Sequence, residues 1–383
     1  VDNRHPSEFS VDHFAWRREQ LFSALPADID VMAVSNPLNV TYLSGFTGDS
    51  SWLLLSRQHA ILVSDGRYEV QIAEECPGLE AVIRPPDQRI DQAVAQVLAK
   101  LSPRYVGVEA THLTVNDFNR LKELAPTLNF AETGGQIETL RRIKDESEVA
   151  EIRAAVRIAE KAHAMFVALL AEDDTEKELA DAMEGYLRRA GGTGSSFAPI
   201  VAIGDRSALP HAQPGPRCVA ESPFLLLDWG ATGRLYKSDI TRILLTRHLL
   251  GIEGAKAREI ESRLENLYTV VLRGQEIALQ MMRPGAKACD VDRAVRAHFE
   301  KHGVNAQFNH GLGHGIGLQI HEGPMLRSNS DDVLVAGNVV TVEPGVYFPG
   351  FGGVRIEDDV LVTPDGCEVL TSLPKDVASV FGR

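Results

Sequence analysis

An α+β chain built in two parts is predicted by three observations. Strand-sized apolar runs alternate with helical periodicity through about the first 135 residues. From Asp145 onward, long helical patterns alternate with paired β-branched runs. The length, 383 residues, exceeds what a single core holds at about 150 residues per domain. Apolar residues make up 44% and charged residues 24%, enough for sizeable cores and too apolar for a disordered chain. Acidic side chains outnumber basic ones by 53 to 39, a net charge of −14. A sequence-independent nucleic-acid binder needs a basic surface to displace counterions, so that class is excluded.

In the first part, Phe14, Leu21, Phe22 and Leu25 fall at helical spacing within 11–25. Val31 to Val34 is a short strand ended by the turn signal Ser35-Asn36-Pro37. Trp52 to Leu55 and Ala60 to Val63 are strands joined by a hairpin-like connection. A helix over 67–76, a strand over 79–83, a helix over 90–101, a strand over 105–109 and a helix over 114–125 complete an α/β unit. Residues 131–144 read as the crossing between domains.

In the second part Asp145, with Glu148 three residues on, opens a long helix through a capping box. Val149, Ile152, Val156, Ala159, Phe166 and Leu170 form its apolar face. Helices over 175–190, 257–282 and 288–302 alternate with strands over 198–203, 224–228, 239–246, 339–348 and 354–362.

Four cysteines (Cys76, Cys218, Cys289, Cys367) form no CxxC pair, which suits reduced thiols in the cytoplasm. The first thirty residues hold no apolar stretch of the signal-peptide kind. Apolar runs such as Phe224 to Leu227 fall far short of the roughly 20 residues a bilayer needs. A cytoplasmic protein without a membrane span is expected.

Four segments carry chemistry. In the first, Asp228 closes an apolar strand and Asp239 opens the next, which sets two carboxylates side by side; the bland alternative is a pair of backbone caps. The second places His310, His314 and His321 among five glycines. One histidine alone would read as a satisfied polar residue; three together read as a site. The third and fourth put Glu343 and Glu357 inside β-branched runs. Arg355 and Glu357, two apart, project from one face of a strand, either as a buried site or as an ordinary surface ion pair. Two Asp, two Glu and one imidazole are too rich in carboxylate for structural zinc and lack thiolates for iron–sulfur. They suit two adjacent divalent ions with a hydroxide between them: Mn²⁺, Co²⁺ or Zn²⁺.

In order and spacing these segments resemble the creatinase/aminopeptidase ("pita-bread") metallopeptidase family. The likeness is to its proline-specific members, the Xaa-Pro dipeptidases (prolidases) and Xaa-Pro aminopeptidases. Asp228 and Asp239 eleven apart, Gly-His314-Gly-Ile-Gly-Leu, Val-Glu343-Pro-Gly and Arg355-Ile-Glu357 match the family's ligand pattern. Leu140 to Glu148 is similar to the lead into the catalytic domain, and Asn36-Pro-Leu-Asn39 and Gly45-Phe-Thr-Gly48 are similar to a creatinase-type N-terminal domain.

The resemblance implies an α/β N-terminal domain over 1–140 and a pita-bread catalytic domain over 141–383. It implies metal ligands Asp228, Asp239, His314, Glu343 and Glu357. Glu343 would also move the proton, His211, His310 and His321 would meet substrate or support the site, and Arg355 would orient a ligand carboxylate or meet substrate. Phe197 stands where many relatives carry Tyr. The implied activity is hydrolysis of the Xaa-Pro bond by metal-bridged hydroxide, with Xaa-Pro dipeptides as substrate, two manganese ions and a homodimeric assembly. Release of the first residue from longer Xaa-Pro-Yaa peptides is the alternative. A metal-free creatinase-like hydrolase or peptide-binding module is a second, which the complete ligand set disfavours.

Overall fold

The computed structural model describes residues 11–246 and 255–382, so positions 1–10 of the segment read for a leader lie outside the described residues. The chain forms two compact units, Val1–Arg141 and Arg142–Arg383. No described helix is long and apolar enough to cross a membrane.

The first unit is a six-stranded mixed sheet with helices packed on it. Its strands are β1 (Val31–Val34), β2 (Trp52–Ser56), β3 (Ala60–Asp65), β4 (Glu80–Arg84), β5 (Tyr105–Glu109) and β6 (Asn129–Thr133), in the order β4-β3-β2-β1-β5-β6. β1, β2 and β3 run antiparallel in succession, while β3/β4, β1/β5 and β5/β6 are parallel. The helices are α1 (Val11–Ala24), α2 (Pro37–Ser44), α3 (Glu69–Glu75), α4 (Ile90–Leu101), α5 (Val115–Leu124) and α6 (Gln136–Arg141). Val94 and Leu98 of α4 pack with Val31, Leu54, Ile61, Val63 and Val106 in the core.

Three of these elements depart from the sequence reading. The turn signal Asn36-Pro37 starts α2: the Asn36 side chain accepts from the Leu38 N–H, and Pro37 takes the first helical turn, where its missing N–H costs nothing. The supposed crossing at 131–144 holds the end of β6 and all of α6. β6 is an edge strand with only Thr133 buried, so it shows no apolar run.

The second unit places helices over antiparallel sheets. α7 (Glu146–Leu169) begins with the expected capping box, in which the Asp145 carboxylate accepts from the Ser147 and Glu148 N–H groups and Glu148 answers on the Asp145 N–H. α8 (Glu176–Arg189), α9 (Ala255–Met281), α10 (Ala288–Lys301) and α11 (Val377–Phe381) follow. β7 (Gly194–Ser195) pairs with β10 (Ala231–Thr232). β8 (Ile200–Ile203), β9 (Leu225–Trp229) and β11 (Ile240–Leu244) form a sheet in the order β11-β9-β8. β12 (Gly313–Gly315), β13 (Glu322–Leu326), β14 (Val339–Val342), β17 (Asp358–Val362) and β18 (Cys367–Val369) form another, ordered β13-β12-β14-β17-β18, and β15 (Gly345–Phe348) pairs with β16 (Gly352–Arg355). Ala159, Phe166, Met183 and Leu187 of α7 and α8 cover Val201, Leu227 and Trp229. Leu264, Val271, Val295 and Phe299 of α9 and α10 cover Val340 and Val360.

The runs 339–348 and 354–362, each expected as one strand, are both broken. The first breaks at Glu343-Pro344, where proline has no N–H to give a ladder. The second breaks at Ile356-Glu357, so Arg355 and Glu357 do not share a strand. Arg355 ends β16, and Glu357 stands in the gap, bridged to Thr241 of β11. Each break frees a glutamate from the strand alternation and turns it inward.

Candidate metal centre

β11 organises the centre. Thr241 lies opposite Asp228 of β9 on one side and opposite Glu357 on the other. Asp239 stands just before β11, two residues ahead of Thr241. His314 arrives on β12, which packs close because Gly313 and Gly315 flank it. A Cβ on Gly313 would stand 2.0 Å from the Thr341 carbonyl oxygen, and one on Gly315 2.1 Å from that of Gly323.

Ligand atoms of Asp239, His314 and Glu357, all buried, lie within 4.8 Å of one another. His314 Nε2 is 3.7 Å from Asp239 Oδ2 and 3.5 Å from Glu343 Oε1. Its Nδ1 donates to the Gly315 carbonyl at 3.0 Å, so the Nε2 lone pair faces the carboxylates. Burial lowers the His314 pKa to about 4, which keeps the ring neutral. Arg355 Nη2 donates to Asp228 Oδ2 at 2.5 Å, while Asp228 Oδ1 is buried with no hydrogen-bond partner among the described residues. Glu357 Oε2 accepts from Thr241 Oγ1 at 2.6 Å.

Burial, and at Asp239, Glu343 and Glu357 the nearby like charges as well, raises the carboxyl pKa values. Asp239 is pushed well above the usual carboxylate range by burial first and then by Glu357, Asp228, Asp359 and Glu343. Glu357 and Asp228 move up for the same first reason. Burial brings Glu343 to about 8, with Asp228 adding and Arg355 opposing. An unpartnered carboxylate oxygen, an inward imidazole lone pair and four crowded carboxylates fit divalent cations of intermediate hardness.

Arg355, read from the sequence as a possible partner of Glu357, pairs with Asp228 instead. Its Nε donates to Thr241 Oγ1 at 3.0 Å and its Nη1 to the Tyr347 hydroxyl at 2.8 Å. That hydroxyl lies 2.8 Å from His310 Nε2, and His310 Nδ1 lies 2.8 Å from the Gly311 carbonyl. A carbonyl only accepts, so Nδ1 carries the proton and Nε2 accepts from Tyr347. His310, held near pKa 4 by burial and then by Arg355, is neutral with both nitrogens engaged.

His321 is exposed, its ring edge-on to His314 at 4.4 Å. Beside it, Glu322 is held by the buried Lys144 ammonium at 2.6 Å. His211 is also exposed. Of the residues expected from the sequence, Asp239, His314 and Glu357 converge, Glu343 lies beside His314, Asp228 is held by Arg355, and His211 and His321 are exposed. Phe197 is half-buried between β7 and β8.

A family model described as "Metallopeptidase family M24" matches residues 150–364, and one described as "Creatinase/Prolidase N-terminal domain" matches 21–143. The chain belongs to metallopeptidase family M24. Among solved structures, this M24 peptidase is similar to the Xaa-Pro dipeptidase from Bacillus anthracis (TM-score 0.87, 35% identity, 95% of this chain and 99% of that one). It is also similar to the X-Pro aminopeptidase from Thermotoga maritima MSB8 (0.84, 32%, 94% and 99%). Among curated relatives, the uncharacterized peptidase YqhT of Bacillus subtilis (strain 168) is 31% identical over 91% of this chain and 95% of its own. This chain is an M24 metallopeptidase with a creatinase-type N-terminal domain followed by a pita-bread domain.

Sequence reasoning missed four parts of the M24 site. Thr241, Thr341, Tyr347 and Asp359 orient Glu357, His314, His310 and Asp239 respectively. Three of them stand two residues from a ligand in the sequence (Asp239, Glu343, Glu357).

Behind the site, the buried Arg242 donates to Asp358 Oδ1 and to the Glu357 carbonyl, both at 2.7 Å. Gln275 and Lys375 close on Asp358 Oδ2. Burial alone would raise the Asp358 pKa, but Arg242 and Lys375 outweigh it and hold the carboxyl low. Asp358→Ala leaves the buried Arg242 charge uncompensated and should cost about 3–5 kcal/mol. Thermal melting of the metal-loaded protein checks this, and a variant melting with the wild type would refute it.

Proposed function

We propose that this M24 peptidase hydrolyses the Xaa-Pro bond, with Xaa-Pro dipeptides preferred, at a centre of two divalent ions. The observation that carries this reading is the convergence of Asp239, His314 and Glu357, with Asp228 Oδ1 unpartnered and Glu343 beside His314. Asp228, Asp239, His314, Glu343 and Glu357 would hold the ions, manganese in our reading. Such ions polarise the scissile carbonyl and lower the pKa of water.

The chain's own groups do the rest. Glu343, beside His314, takes the proton from the attacking water and returns it to the departing proline nitrogen. His321, at the rim, donates to the developing oxyanion. His310 has no donor to spare and instead relays the Arg355–Tyr347 chain that keeps Asp228 aimed. His211 meets the substrate. An Xaa-Pro bond offers no N–H at the leaving nitrogen, so an apolar surface that accepts the ring suits it.

The structural neighbours, an Xaa-Pro dipeptidase and an X-Pro aminopeptidase, support the bond specificity and leave two product patterns. Turnover of Xaa-Pro against Xaa-Pro-Yaa peptides in Mn²⁺ separates them. A higher kcat/KM on the dipeptide is expected, and faster cleavage of the tripeptide would make the enzyme an aminopeptidase. Homodimer formation, part of the same reading, is checked by light scattering.

A further inference from the structure

We infer that Glu176 is a positioning residue that pins the loop carrying His211, and that this pin governs substrate affinity; the second half rests on the Xaa-Pro reading. Glu176 opens α8, and its side chain is 0% exposed. Oε1 accepts from the Ile203 N–H and from Arg206 Nε, both at 2.9 Å. Oε2 accepts from Arg206 Nε at 2.7 Å and from the Gly215 N–H at 2.8 Å. Arg206 Nη2 in turn donates to the Gln213 carbonyl at 2.5 Å. One buried carboxylate thus ties together the end of β8, the turn after it and the return of the loop.

A buried charge is kept at a cost in desolvation, and a merely stabilising role is filled as well by apolar packing. Here the product is geometric: both feet of the loop are fixed and its tip projects. Two further ties hold the loop, one before the tip and one at Pro210 beside His211. Ser207 Oγ accepts from the Gly353 N–H at 2.8 Å, and Arg355 Nη1 reaches the Pro210 carbonyl at 3.4 Å. The tip, Leu209 to Gln213, lines a cavity of about 630 Å³ together with Arg206 and Gly215, and Leu209 is 53% exposed beside His211. None of the five candidate metal ligands lies on this loop. Releasing it should change how substrate is held without changing how metal is held.

The test uses the Mn²⁺-loaded full chain with Arg206→Met, which keeps the stem and removes the guanidinium, and with Glu176→Gln. Hydrogen exchange of the 204–215 backbone should accelerate about tenfold in both. KM for an Xaa-Pro dipeptide should rise about tenfold with kcat within about twofold. Metal content should stay at the wild-type level, and Arg206→Lys should recover part of the KM. Unchanged loop exchange overturns the pin, and a fall in kcat at constant KM overturns its link to substrate. Arg206 is partly exposed, so its substitution reports even if Glu176→Gln does not fold. Wild-type protein inactive on every Xaa-Pro peptide would refute the proposed activity and the link to substrate, while loop exchange still decides the pin.

Discussion

Asp239→Asn protein should lose about 10³-fold or more in kcat/KM on Xaa-Pro peptides, equivalent to about 4 kcal/mol of transition-state stabilisation. Asp239 occupies the centre of the cluster, 3.7 Å from His314 Nε2 and within the field of Glu357, Asp228, Asp359 and Glu343. Asparagine keeps the volume and removes the charge, so folding should survive while bound metal falls. Elemental analysis and single-turnover rates read the two effects separately. Wild-type rates with a full metal complement would show that the chemistry lies elsewhere. Glu343→Gln is the companion. It should also lose turnover, because an amide cannot carry the proton that the proposed mechanism moves through Glu343.

The second large effect is on stability and follows from proton linkage. Glu343 is raised from the ordinary carboxylate range to about 8 in the folded chain, by burial before anything else. A raised carboxyl makes the folded state hold a proton that the unfolded state has released. Its stabilisation is therefore full below about pH 4.5 and is lost as pH climbs through 8. Asp239, Glu357 and Asp228 shift in the same direction. Metal-free protein in chelator should thus melt lower at pH 8 than at pH 5, by on the order of 10 °C. Mn²⁺ should flatten the slope, because the cation replaces the protons. Glu343→Gln should flatten it without metal. Calorimetric titration in two buffers of different ionisation heat should register proton release on metal binding. A chelated protein that grows more stable from pH 5 to pH 8 would contradict the electrostatics of the site.

The parts of this centre that could be read from sequence are those that break a local rule. Glu343 and Glu357 stand out because carboxylates do not belong in buried β-branched runs, and His314 because glycines crowd around it. The capping box at Asp145 is equally visible, since cap chemistry is local. What stayed hidden depends on partners distant in the chain. Thr241 and Thr341 are ordinary strand formers until the fold sets them against Glu357 and His314. The partner of Arg355 is 127 residues away rather than two. β6 escaped because an edge strand with one buried residue leaves no apolar trace. Glu176 looks like any acidic residue in a first helical turn, and only the loop folding back onto it shows otherwise.

Asp228 and His314 stand on strands, Glu343 and Glu357 at strand breaks and Asp239 just before a strand, whereas His211 and His321 ride on connecting segments. Strand spacing is fixed at about 4.8 Å by the peptide hydrogen bond itself. Connecting segments tolerate insertion and exchange. Inheritance can therefore act on the two halves separately, rewriting which peptides are admitted while the hydrolytic machinery stays frozen. Grafting a loop from a relative with another preference should accordingly transplant taste without retuning the metals.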